Sequence, residues 1–110
     1  MLRSFILAAA ALMLVATVAS AQDKVARGAA VYADQKCQLC HAIAGKGNAK
    51  GALDEVGSKL SAADIKAWIV DAKGQTAKTG ATRKPDMKSY TLAADDVDAL
   101  VAYLSTLKKK

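Results

Sequence analysis

The sequence predicts a small all-α domain, and three observations carry that prediction. In three stretches the apolar residues recur at steps of three and four, which is the period of a helix that buries one face. No stretch of useful length alternates apolar and polar residues as a half-buried strand does. The chain has 110 residues, which is the size of one small domain.

The first 21 residues have the composition of an export signal. Arg3 gives a positive start, residues 5–18 form an apolar run, and residues 19–21 (Ala-Ser-Ala) form a small-residue cleavage site. A transmembrane anchor is the alternative, but a run of 14 residues is shorter than the ~20 needed to span hydrocarbon. We therefore expect a signal peptide over 1–21, a domain over 22–110, a periplasmic location and no stable membrane insertion after cleavage.

Cleavage leaves 89 residues, with 15 Lys and Arg (16 less Arg3) against 10 Asp and Glu, a formal charge of +5. The signs of the charges alternate along most of the chain, and the only run is the three lysines at 108–110, so the sequence gives little support to nucleic-acid binding. A domain this short buries only about 60–65% of its unfolded surface. Such domains often need a metal or a cofactor to complete the core.

The first predicted helix covers residues 23–35, where Val25, Ala29 and Tyr32 fall on one stripe beside Gly28. Residues 43–58 follow, are rich in glycine and small polar residues, and show neither helical nor strand period. We predict a loop there.

The second predicted helix runs from Ala62 to about Ala72. Ser61 is a favoured N-cap residue and Asp64 stands three positions later, which is a variant of the capping box. Leu60 and Ile65 are placed as a hydrophobic staple across this helix start.

Residues 73–90 contain almost no aliphatic side chains, and the sequence predicts a long irregular segment there. Such a segment is unusual inside a small domain unless it serves a function or wraps something.

The last helix is the clearest of the three. Asp95, Asp96 and Asp98 lie near its N-terminal end, where the helix dipole favours negative charge. Its apolar positions repeat at three and four: Val97, Leu100, Val101, Leu104 and Leu107.

The only two cysteines stand in the motif Cys37-Gln38-Leu39-Cys40-His41. This spacing is used to attach haem c, because two thiols add to the vinyl groups and the next residue offers an imidazole to the iron. A structural zinc ion needs about four ligands, and the mature chain offers two Cys and one His. A dithiol redox site calls for a preceding strand, and a plain disulfide is the simplest alternative in an exported protein. We favour one covalently attached haem c.

Met87 is the only methionine outside the leader, and it lies in the segment that is poor in apolar residues, two positions after Pro85. Its neighbours Lys84, Asp86 and Lys88 are charged, which argues against ordinary core packing. A thioether is a common second ligand of haem iron opposite a histidine. We favour His41 and Met87 as axial ligands, with an open iron or a lysine ligand as alternatives.

With this motif and this order of elements, the chain resembles a class I, mono-haem c-type cytochrome over residues 24–107. The resemblance implies the small cytochrome c fold, in which three to five helices surround one covalent haem. It also implies that the first and last helices pack together, with Gly28 and Tyr32 against Leu100 and Tyr103.

The resemblance further implies that several side chains wall the haem, namely Leu53, Trp68, Ile69, Tyr90 and Leu104. The family often has a proline whose carbonyl accepts the hydrogen bond from the ligand imidazole, and the corresponding position is taken to be Ala52. A proline that commonly ends the middle helix is replaced by Ala72.

We therefore expect an electron carrier rather than an enzyme, because two filled axial positions leave no vacancy for a substrate. We expect a monomer whose partners are redox proteins outside the cytoplasm. Acidic docking surfaces on those partners would meet a ring of lysines, and that ring comprises Lys36, Lys46, Lys50, Lys73, Lys78, Lys84 and Lys88. The competing hypotheses are an open-site haem protein that binds gases or peroxide, and a haem-free domain with one disulfide.

Overall fold

The computed structural model describes residues 20–110. The predicted signal peptide over 1–21 lies outside the described residues except for its last two positions, so its cleavage stays a prediction. Within residues 20–110, no helix has both the length and the apolar character needed to cross a bilayer.

Five α-helices dominate the described residues, and the predicted all-α class is confirmed. Helix α1 occupies residues 20–34 of the described chain. A 3₁₀ turn at Cys37–Leu39, strands β1 (Ala42–Ile43) and β2 (Lys46–Gly47), and a second 3₁₀ turn at Ala49–Gly51 follow. The remaining helices are α2 (Val56–Lys59), α3 (Ala62–Val70), α4 (Ala72–Thr79) and α5 (Ala94–Ser105).

Helices α1 and α5 pack closely, as the resemblance implied. Gly28 is buried, and a Cβ placed on it would overlap the carbonyl oxygen of Ala99 and lie 2.6 Å from Tyr103 Cβ. The rings of Tyr32 and Tyr103 meet edge to face, with centroids 6.0 Å apart. At the rim, Arg27 and Asp96 form an ion pair at 2.7 Å. A glycine at position 28 lets the two backbones approach to this distance.

Helix α3 begins as predicted, because the Ser61 hydroxyl accepts a hydrogen bond from the Asp64 amide at 3.1 Å. Its inward face contributes Ile65 and Ile69 to the core. That core joins α1, α3 and α5 through six buried side chains: Val31, Tyr32, Ile65, Ile69, Leu100 and Leu104.

The prediction of an irregular segment over 73–90 is wrong for its first part, which forms α4. Asp71 ends α3 and caps α4, its carboxylate accepting from the Gly74 amide at 3.2 Å. Gly80, at φ +68°, ends the helix in the left-handed conformation that favours glycine. The spacing of apolar residues does not predict α4, because the buried positions of this helix are Ala72 and Gln75.

The predicted loop over 43–58 contains a tight antiparallel hairpin and the start of α2. Ala42 pairs with Gly47 and Ile43 pairs with Lys46. The two turn residues between the strands, Ala44 and Gly45, both have positive φ, as a type I′ turn requires. The Asp54 carboxylate accepts from the Ala44 amide at 2.7 Å. This bond ties the hairpin to the chain that leads into α2.

Candidate haem site

A cavity of about 810 Å³ opens beside the helical core, and the four predicted site residues all line it. Cys37, Cys40 and His41 lie on the segment that follows α1, and Met87 lies on the segment between α4 and α5. The fold therefore brings together residues that are 46 positions apart in the sequence.

The cysteine pair sits on the tight turn that follows α1. The amides of Cys40 and His41 both donate to the Cys37 carbonyl, at 3.1 and 2.9 Å. Lys36 precedes the turn with φ +56° and redirects the chain away from the helix axis. Both sulfurs are free thiols. One helical turn between the cysteines places both thiols where they line the same cavity.

Burial raises the pKa of the Cys37 thiol above its usual value, with a smaller opposing effect from a backbone hydrogen bond and a further contribution from Cys40. Among the described residues, no cluster of three or more Cys, His, Asp or Glu side chains is placed to hold a metal ion. Cys37, Cys40 and His41 alone fall short of the roughly four ligands that a structural zinc ion needs.

His41 is held by a backbone carbonyl, and the acceptor is Gly51 rather than the expected Ala52. The distance from His41 Nδ1 to the Gly51 oxygen is 2.9 Å. A carbonyl oxygen only accepts, so Nδ1 carries the proton and Nε2 keeps its lone pair for a metal. The prediction was wrong by one residue because Ala52 bridges to Ala42 of β1. The preceding peptide is the one that faces the imidazole.

Burial is the main cause that lowers the pKa of His41, opposed by the Gly51 hydrogen bond and assisted by the nearby charge of Arg83. The imidazole is therefore neutral near pH 7, which is the form that binds iron. Gly51 itself is closely surrounded. A Cβ at this position would overlap the Cys40 carbonyl and the Arg83 guanidinium, and it would lie 2.9 Å from His41 Nδ1.

Met87 is half-buried among exposed neighbours. On the C-terminal side its segment is held to α3, because the Tyr90 amide donates to the Ile69 carbonyl at 2.8 Å. Two further contacts lie within the segment itself. Lys84 and Asp86 form an exposed ion pair at 2.8 Å, and the Lys88 ammonium lies 4.8 Å from the centroid of the Tyr90 ring.

The apolar walls come from α1, α2, α3, α5 and the segments between the helices, and the five predicted wall residues all line the cavity: Leu53, Trp68, Ile69, Tyr90 and Leu104. Sequence reasoning missed Thr76 and Thr79, because it did not predict α4, and it missed Arg83. The two threonines share a helix face at three-residue spacing. Recognising the Asp71 cap and the Gly80 stop would have revealed that helix.

Tyr32 lines the cavity, and its buried hydroxyl has no hydrogen-bond partner among the described residues. Burial, with smaller effects from Cys37, Tyr103 and Asp54, raises the pKa of Tyr32 to about 12. Buried hydroxyls are nearly always hydrogen-bonded. An unpartnered hydroxyl on a residue that lines the cavity is consistent with a cavity that is completed by a bound group.

The residues present fit haem c in size and chemistry. The volume lies within the range of about 300–1,000 Å³ that is usual for cofactor sites. Two thiols for attachment, a neutral imidazole with a free Nε2 and a thioether all line the same space, and the other walls are mainly apolar. These features fit a small all-α protein that holds a covalently attached redox cofactor.

The comparison with family models identifies the family. The cytochrome c model matches residues 25–108, and the chain belongs to the cytochrome c family. The comparisons with curated proteins and with solved structures gave no significant match. Membership of this family implies covalently bound haem c with its iron, haem-based electron transfer and redox partners. The resemblance and the small cytochrome c fold predicted from the sequence are confirmed.

Proposed function

We propose that this protein carries one electron at a time between redox proteins outside the cytoplasm, using a single haem c. Thioether bonds from Cys37 and Cys40 hold the haem, and His41 and Met87 are the two axial ligands of its iron. The observation that carries the proposal is that these four side chains line one cavity although they come from two distant segments of the chain. When bound, the haem supplies the iron that cycles between the ferrous and ferric states.

Residues of the protein around the haem set the reduction potential of that iron. Gly51 orients the imidazole and makes it a better donor through the hydrogen bond to Nδ1. A soft, neutral thioether from Met87 favours ferrous iron and raises the reduction potential compared with two imidazoles. Apolar walls act in the same direction, because a low dielectric disfavours the additional charge of the ferric state.

Two filled axial positions support a carrier over an enzyme, because no position on the iron is left for a substrate. An outer-sphere electron carrier needs only an exposed haem edge that can come close to the cofactor of its partner. In this protein that edge would lie beside the two cysteines. Leu39, between the two cysteines, is 68% exposed, and Cys40 is exposed as well. We propose that this edge is where electrons enter and leave.

Exposed lysines near this edge suit partners with acidic docking surfaces. Lys36, Lys46 and Lys50 flank the cysteine turn, and Lys84 and Lys88 flank Met87; all five are exposed. Opposite charges speed encounter and make the rate depend on salt. Partner reduction rates that stay constant as ionic strength rises would contradict this docking model.

A visible spectrum of the purified oxidised and reduced protein, before and after extraction with acidified solvent, tests attachment. Pigment that stays with the denatured chain supports the two thioethers, and pigment that is fully extracted contradicts them. Binding of carbon monoxide tests Met87. The reduced native protein is expected to be inert, and Met87→Ala is expected to bind carbon monoxide rapidly.

Leu92→Ala is the matched control for Met87→Ala, because it shortens another half-buried side chain of the same cavity without removing a ligand. It is expected to stay inert. Rapid binding of carbon monoxide by the wild type would instead favour the open-site haem protein.

We further propose that the protein is exported, loses residues 1–21 and acts as a monomer. Sequencing the N-terminus of the exported protein tests the cleavage. A product that still begins at Met1 contradicts it. Sedimentation of the purified protein tests the monomer.

A further inference from the structure

Arg83 lies beside the histidine that is proposed to bind the iron, although it belongs to the segment that carries Met87. It lines the cavity. A Cβ added to Gly51 would overlap the Arg83 guanidinium and would also lie close to His41 Nδ1. The guanidinium and the imidazole therefore approach the same glycine, whose carbonyl accepts the His41 hydrogen bond.

The charge of Arg83 is not neutralised by an acidic side chain in the part of the chain that the structure describes. The ion pairs there join Arg27 to Asp96, Lys59 to Glu55 and Lys84 to Asp86.

We infer that Arg83 is a positioning residue that raises the reduction potential of the haem from the His41 side. The inference rests on the proposed function, because it requires iron on His41. Two physical effects act in the same direction. A nearby cation disfavours the extra positive charge of ferric iron. The same cation, which approaches Gly51 near His41 Nδ1, also disfavours the build-up of negative charge on the imidazole, which makes His41 a poorer donor to ferric iron.

The test compares the reduction potentials of the complete haem protein and of three variants by redox titration, at low and at high salt. Arg83→Gln removes the charge, and Arg83→Lys keeps the charge but loses the planar fork of donors. Lys78→Gln is the matched control, because it removes the same charge from a residue that is exposed, as Arg83 is, but does not line the cavity. Helical circular dichroism and the covalent pigment are checked in each variant.

Arg83→Gln is expected to lower the ferrous-to-ferric ratio at a fixed applied potential by roughly two- to threefold at low salt, because the unit charge that it removes is exposed and therefore partly screened. Lys78→Gln is expected to change the ratio less, and its effect is expected to vanish at high salt. Arg83→Lys is expected to fall between the wild type and Arg83→Gln.

A second readout separates this role from a merely structural one. The proton on His41 Nδ1 gives an NMR resonance in the diamagnetic ferrous protein. The chemical shift of this resonance is expected to change in Arg83→Gln and to stay the same in Lys78→Gln. Equal potentials for the two charge-removing variants, or an unmoved resonance in Arg83→Gln, would overturn the role of Arg83. A wild-type protein without covalent pigment would overturn the proposed function first, and this inference with it.

Discussion

Replacing Gly28 with alanine tests whether the contact between α1 and α5 holds the domain together. Residue 28 lies inside α1 and faces α5. In an unpacked helix this substitution stabilises by about 0.5–1 kcal/mol, because glycine loses more backbone entropy on folding than alanine. Here the added methyl would overlap the Ala99 carbonyl and lie 2.6 Å from Tyr103 Cβ. Neither of these atoms is the far end of a flexible side chain, so relief requires the two helices to move apart.

Forcing an extra methyl group into a well-packed contact costs about 1–3 kcal/mol. The upper end applies to Gly28, because a backbone atom is in the way and because separation of the helices also loosens the contact between Tyr32 and Tyr103. Subtracting the gain in helix propensity leaves a net destabilisation of about 2 kcal/mol, or up to about 30-fold in the folded-to-unfolded ratio.

Urea unfolding of the haem protein, followed by helical circular dichroism, measures this free energy. Gly74→Ala is the matched control, because it makes the same substitution inside α4 where the atoms in the way belong to the Asp71 side chain. That side chain can rotate, so the gain in propensity and the weakened cap nearly cancel. A Gly28→Ala protein as stable as the wild type would refute the close-packed contact.

Three further predictions concern single contacts, each measured by urea unfolding. Ser61→Ala removes the cap of α3 and is expected to cost about 1 kcal/mol; an unchanged midpoint would contradict the cap. Asp54→Ala removes the acceptor for the Ala44 amide and is expected to cost about 1–2 kcal/mol, whereas Asp54→Asn, which keeps an oxygen acceptor, is expected to cost less. Because the folded pKa of Tyr32 is about 12 and its ordinary value is 10.0, stability is expected to fall as pH rises from 10 towards 12. Tyr32→Phe removes this part of the decline, and identical pH profiles for the two proteins would contradict it.

The last helix was predictable because it buries a stripe of large apolar residues, whereas of the stripe predicted for α1 only Tyr32 is fully buried. Leu100 and Leu104 of α5 lie in the core, as their spacing predicts, and Tyr32 of α1 meets them there. The start of α3 was predictable for a local reason, because Ser61 caps the helix through a contact only three residues away. In both cases the structural cause lies within one helix.

Helix α4 was not predictable from apolar spacing, because packing and capping rather than a hydrophobic stripe define it. Its buried positions are Ala72 and Gln75, which are small or polar. Two end signals, Asp71 and Gly80, specify it instead. A search for apolar residues passes over such a helix, although two of its threonines line the cavity.

One part of the candidate site is specified by neighbouring residues in the sequence, and the other part depends on contacts between distant segments. Cys37, Cys40 and His41 are set by one short turn, so their motif indicates their common placement directly. The surroundings of His41 depend instead on contacts that no local pattern specifies: the Gly51 carbonyl comes from ten residues away, and Arg83 comes from the segment of Met87. The bridge between Ala42 and Ala52 decides which carbonyl faces the imidazole. The sequence therefore indicates which residues attach the cofactor, whereas the residues that tune it become apparent only once the segments at 51 and 83 are brought together.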